Sequence, residues 1–154
     1  MVRGNGAYGL RIRERTMSYL SLLVVALVAL ASWFIPLEEI LSAYPFYSSF
    51  SWYPTWRVAV ASLLTWIALM VLVGSGFPYL ALATAFSASL FALFHYATLY
   101  DAVREGFEVG FLPLLYYSNW NGKTLYYLDM GQLVALLTAA QLLYTLKSRS
   151  SPKK

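Results

Sequence analysis

Four apolar stretches, running from about Tyr19 to Ile35, Pro54 to Val73, Pro78 to Tyr100 and Leu128 to Leu146, dominate this chain of 154 residues. At 1.5 Å per residue, helices of these lengths span roughly 25 to 35 Å, the thickness of a hydrocarbon core of about 30 Å. Pro54 sits where the first turn of a helix tolerates proline. The composition agrees: 12% of the residues are charged, against about 25% in a soluble domain, too few to coat a water-facing surface. The sequence therefore predicts an all-α integral membrane protein. Its transmembrane domain, residues 17–147, is a four-helix bundle with long aromatic outer loops, flanked by basic tails at 1–16 and 148–154.

Lys and Arg near the ends of spans stay on the cytoplasmic side. Arg3, Arg11, Arg13, Arg15, Lys147, Arg149, Lys153 and Lys154 lie on one side of the four-span reading; only Arg57, Arg104 and Lys123 lie on the other. Glu38, Glu39, Asp101, Glu105, Glu108 and Asp129 join the latter side. Both termini are thus expected to be cytoplasmic in a multi-pass protein of the cell membrane. The isoelectric point of 9.3 then reflects tails beside anionic lipid headgroups rather than nucleic-acid binding. The basic start, apolar run and Ala29-Leu30-Ala31 resemble a secretory signal, but Trp33, Phe34 and Ile35 continue the run and favour an uncleaved span.

The chain has no cysteine, which excludes disulfides, thiolate metal sites, iron–sulfur ligation and a Cys nucleophile. With only three Asn and two Gln, the composition also matches a thermophile's avoidance of thermolabile residues.

Gly74-Ser75-Gly76-Phe77 leaves room only for a tight antiparallel hairpin between spans two and three. Ala81, Ala85, Ala88 and Ala92 give span three a small-residue face for close helix approach and place it at the bundle centre. Phe86, Leu90 and Phe94 are expected to face lipid or a partner. If the third helix continues beyond the membrane, Asp101, Arg104, Glu105 and Glu108 share one solvated face. Asp129 and Gln132 form a capping-box pattern at the start of span four. Phe34-Ile35-Pro36-Leu37 recurs as Phe111-Leu112-Pro113-Leu114, a weak trace of the kind a duplicated helix pair would leave.

Residues 36–53 and 101–127 concentrate aromatic side chains that suit the headgroup zone. Loops of this length also offer contact surface for a partner or substrate, with Trp52, Tyr53, Tyr116, Tyr117 and Trp120 as its residues. Gln141, in a mildly polar stripe with Thr138 and Thr145, is a further contact residue.

The one intramembrane ionisable side chain is His95, about 25 Å up the third helix from Pro78. Its functional readings are a haem or metal ligand, a quinone partner or a proton relay; its structural reading is an interhelical hydrogen bond. A lone histidine rules out bis-His haem ligation within one chain. Asp101 and Glu105 lie about 120° and 80° around the helix from it and make no metal face. Ser75 sits at the opposite end of the same helix, which excludes a Ser/His pair.

The expectation from the sequence is a non-catalytic integral membrane subunit, a structural or accessory component of a larger membrane complex. A respiratory or electron-transfer assembly is one such host, with His95 the only pointer to it. The alternative is a small homo-oligomeric transporter or channel for a neutral or lipid-like substrate. The third reading is a haem- or quinone-binding protein using His95. The expected partners are the lipid bilayer and other membrane subunits or further copies of the chain.

Overall fold

The structure, a computed structural model, describes residues 5–35, 51–120 and 122–150. These residues are mostly helical. Helix α1 (Asn5–Phe34) is followed by α2 (Tyr53–Gly74), a 3-10 turn (Pro78–Leu80) that leads into α3 (Ala81–Arg104), and α4 (Met130–Ser150). Three segments, Arg13–Phe34, Tyr53–Gly74 and Pro78–Arg104, are long and apolar enough to cross a membrane. Helix α4 has 21 residues, but Gln132, Gln141 and Lys147 dilute its apolar run. Leu23, Leu27, Leu64, Val71, Leu93 and Leu143 are exposed on the helices, and so much apolar surface is at home against lipid rather than water.

Helices α2 and α3 stop by the same device. Gly76 and Gly106 adopt φ of +101° and +97°, the left-handed conformation that glycine takes without a Cβ penalty. Gly76 N–H then donates to Val73 O and Phe77 N–H to Leu72 O; Gly106 N–H and Phe107 N–H repeat this with Val103 O and Ala102 O. Both are Schellman caps, which satisfy otherwise orphaned carbonyls.

Helix α3 touches α1, α2 and α4, the central position its small residues predict. Ala83, Thr84, Ser87 and Ala88 are buried, and the backbones come close enough for Ser87 Oγ to donate to Ser62 O at 2.9 Å. One cluster joins Ala59, Trp66, Ala88, Phe91 and Val134 from α2, α3 and α4. Within it Trp66 Nε1 donates to Thr138 Oγ1 at 2.9 Å, so Thr138 serves helix packing. Bonds of this kind between membrane helices contribute about 0.6 kcal/mol on average.

A second cluster, Val25, Leu69 and Ala83, takes up Phe86 and Leu90, and the Phe94 ring lies 6.1 Å from that of Trp33. The Phe86, Leu90 and Phe94 stripe thus faces α1 rather than lipid, because α1 supplies an apolar partner on that side. Arg57 Nη2 donates to Trp33 O at 2.8 Å, placing a cation at the C-terminal end of α1 where the helix dipole favours it. At the opposite end Ser18 Oγ donates to Tyr79 O at 2.7 Å.

The all-α expectation is corrected between α3 and α4. Strands β1 (Glu108–Leu112), β2 (Leu115–Trp120) and β3 (Lys123–Leu128) form an antiparallel sheet in the order β1-β2-β3. Here the long aromatic loop is a folded sheet, since its tyrosines and leucines meet across strands, as in Tyr116↔Tyr127 and Tyr117↔Tyr126. The proposed polar face from Asp101 to Glu108 is also corrected: α3 ends at Arg104 and Glu108 opens β1. Residues 36–50 lie outside the described residues. Of the repeated tetrapeptide, Phe34 ends a helix while Phe111 lies in a strand, so the two copies do not share a conformation there.

Candidate functional site

The sheet is fixed to the helices at the first turn of α4. Asp129 precedes that helix, has no exposed surface, and accepts from Gln132 N–H at 3.0 Å on Oδ1 and from Gln132 Nε2 at 2.9 Å on Oδ2. This is the carboxylate half of the expected capping box. The other half differs: Asp129 N–H donates to Leu114 O at 2.9 Å, and Gln132 reaches the β1–β2 turn. Gln132 Oε1 accepts from Leu114 N–H at 2.9 Å, and its Nε2 also donates to Leu112 O at 3.2 Å. Leu114, with φ of +61°, is a non-glycine residue in the left-handed region, a strained state that persists where neighbours over-determine it.

From α3, Tyr96 Oη lies 3.1 Å from both Asp129 oxygens, and His95 Nε2 lies 3.5 Å from Oδ1. A buried carboxylate is tolerated when donors and a helix N-terminus surround it, and both conditions are met here. Gly131 makes the approach of α3 feasible: a Cβ there would come within 2.9 Å of His95 Cδ2 and 3.0 Å of Tyr96 Cζ. The His95 ring is enclosed by Phe91, Tyr96 and Tyr116, with centroids at 5.5, 5.2 and 6.0 Å.

Tyr116 connects this cluster to a cleft of about 310 Å³ between sheet and helices, which Trp52, Trp56, Phe107 and Tyr127 also line. Its ring stacks on Tyr127 at 5.1 Å. Burial, with Tyr127 and Asp129 nearby, pushes the Tyr116 phenol above its ordinary value of 10.

Among the residues singled out from sequence, the structure brings His95, Tyr116 and Trp52 to this end of the bundle. Tyr53 is buried and stacks on Trp56 at 5.8 Å, a packing role. Tyr117 lies on the other face of the sheet, its ring over Gly110. Trp120 ends β2, paired through the backbone with Lys123. Gln141 stands apart on α4, with Oε1 buried and without a hydrogen-bond partner among the described residues. Sequence reasoning missed Tyr96, and it treated Asp129 as a cap only. The signal available was the i, i+3 pair Asp129 and Gln132, which puts a carboxylate at the start of the last helix.

Chemically, the cluster is a carboxyl with a phenol at 3.1 Å and an imidazole at 3.5 Å, and among the described residues no serine or threonine hydroxyl is bonded to it. His95 Nε2 faces Asp129 and the ring is hemmed by aromatics, so this nitrogen offers no open position to a haem iron. No group of three potential metal ligands occurs among the described residues. No family model, curated protein or solved structure matches the chain.

Proposed function

We propose that this protein is a non-catalytic, four-span membrane subunit, with both termini cytoplasmic, that docks a partner subunit through its extracytoplasmic sheet. The observation that carries this reading is the outward face of that sheet. Leu112, Leu115, Tyr126 and Leu128 alternate onto it and are exposed, Tyr126 by 67%, while the polar Glu108, Asn119 and Thr124 occupy only its far end. An antiparallel sheet facing water carries polar residues on its outer side, whereas exposed apolar patches mark interaction sites. The inward face is already occupied by the His95 and Asp129 cluster, which reads as the fastening between sheet and helices rather than a reaction centre.

Purification of the native protein in mild detergent, with mass spectrometry of co-purifying subunits, tests this. The expected result is a stoichiometric membrane partner that Leu115→Glu/Leu128→Glu loses while the chain keeps its helical content. A lone homo-oligomer that supports saturable solute flux in proteoliposomes overturns it in favour of a transporter.

A further inference from the structure

At the end of the bundle opposite the sheet, two neighbouring grooves share Pro78 and Tyr79 in their walls. One, of about 480 Å³, is lined by Arg13, Glu14 and Met17 of α1 and by Gly76, Phe77, Pro78 and Tyr79 of the turn. The other, of about 340 Å³, runs from Ser18, Pro78 and Tyr79 along Ala81, Leu82 and Ala85 of α3 to Leu142, Thr145 and Leu146 of α4. The lower half of the small-residue face on α3 therefore stays open: Ala88 is buried against neighbours, but Ala81 and Ala85 border a gap.

We propose that these neighbouring grooves together hold one anionic phospholipid, its headgroup phosphate beside Arg13 and an acyl chain between α3 and α4. The proposal rests on the four-span reading, which makes this the cytoplasmic membrane boundary, and is independent of the partner docked at the sheet. Three observations select this occupant. The gap between α3 and α4 is lined mainly by apolar side chains, so an acyl chain fits it and a water-soluble anion does not. The mouth carries a guanidinium, which pairs with phosphate oxygens through its fork of donors. Glu14 shares that mouth, and the preference for an anion follows from the four-span reading, which puts eight basic residues and a single acid, Glu14, at this end. Tyr79 sits between the two grooves, where an amphipathic ring belongs.

Native mass spectrometry of the full chain released from nanodiscs of phosphatidylglycerol or phosphatidylcholine tests the proposal. The expected result is selective retention of one phosphatidylglycerol. Arg13→Gln, at an exposed position, weakens that retention about tenfold, the loss of one charge-assisted contact. Ala85→Phe fills the apolar gap and abolishes retention, with circular dichroism confirming the fold; if it fails to fold, the Arg13→Gln result decides alone. Inorganic phosphate leaves the thermal midpoint unchanged, whereas phosphatidylglycerol raises it. Equal retention of both lipids, undiminished retention by Arg13→Gln, or a midpoint raised by phosphate alone overturns the proposal.

Discussion

The Tyr96 hydroxyl sits equidistant from the two oxygens of Asp129, at 3.1 Å, and so ties α3 to the start of α4. Removing that carboxylate leaves the Tyr96 hydroxyl and Gln132 without their shared acceptor and takes away the charge 3.5 Å from His95 Nε2. Loss of an N-cap costs about 1 kcal/mol, and a hydrogen bond to a charged group about 1.5–3 kcal/mol. Asp129→Ala is expected to fall in the upper part of that range and Asp129→Asn to lose less, as read by thermal unfolding in detergent. A cost for Asp129→Ala within about 0.5 kcal/mol, typical of a surface change, sinks the fastening role.

Gly131→Ala is expected to destabilise. In a helix interior the exchange ordinarily gains up to about 1 kcal/mol, but here the new methyl meets His95 and Tyr96 at 2.9 and 3.0 Å, and overpacking costs about 1–3 kcal/mol. Gly74→Ala is the matched control, since nothing lies within 4 Å of its Cβ position. Opposite signs for the two variants in one thermal melt series check the argument.

Leu114→Gly is expected to leave stability unchanged or raise it by up to about 1 kcal/mol. Glycine relieves the φ of +61° but loses more entropy on folding. Gln132→Ala, by contrast, frees the turn and lowers the thermal midpoint.

Glu105 accepts from the hydroxyl and the backbone N–H of Ser51, immediately before α2, and these bonds hold its carboxyl below the ordinary 4.5. A depressed folded value contributes stability that is present above the unfolded value and lost as pH falls through the folded one. Protection of the Ser51 amide from hydrogen exchange should therefore drop below about pH 4.5, and Glu105→Gln should flatten that dependence. An unchanged profile in the variant refutes the assignment.

The absence of cysteine makes single-cysteine topology mapping free of background. Ser75→Cys and Lys147→Cys are expected to react with a membrane-impermeant maleimide from one side, and Lys123→Cys from the other. If Lys147→Cys labels together with Lys123→Cys, α4 does not cross the membrane and the four-span reading fails.

Three of the four expected spans were legible because length and apolarity suffice to mark a helix able to cross a membrane, and Gly76 marked the hairpin turn. The sheet was not, for a physical reason. Period-2 alternation identifies a strand when one face is polar, whereas here Phe111, Tyr116 and Tyr127 line one face and Leu112, Leu115 and Leu128 the other. One signal was present and unread: Asn121-Gly122 between Trp120 and Lys123 is the sequence a two-residue hairpin turn favours. The role of Asp129 was half legible, since the spacing to Gln132 shows a cap but cannot show that Tyr96 and His95 converge on the same oxygens.

The β1–β2 turn takes its two clamps, the amide of Asp129 and the side chain of Gln132, from residues that follow the whole sheet in the chain. During synthesis, which proceeds from the N-terminus, Leu114 emerges before either clamp exists. The β1–β2 turn therefore gains its clamps only once the chain has been made through Gln132 and the first turn of α4 has formed.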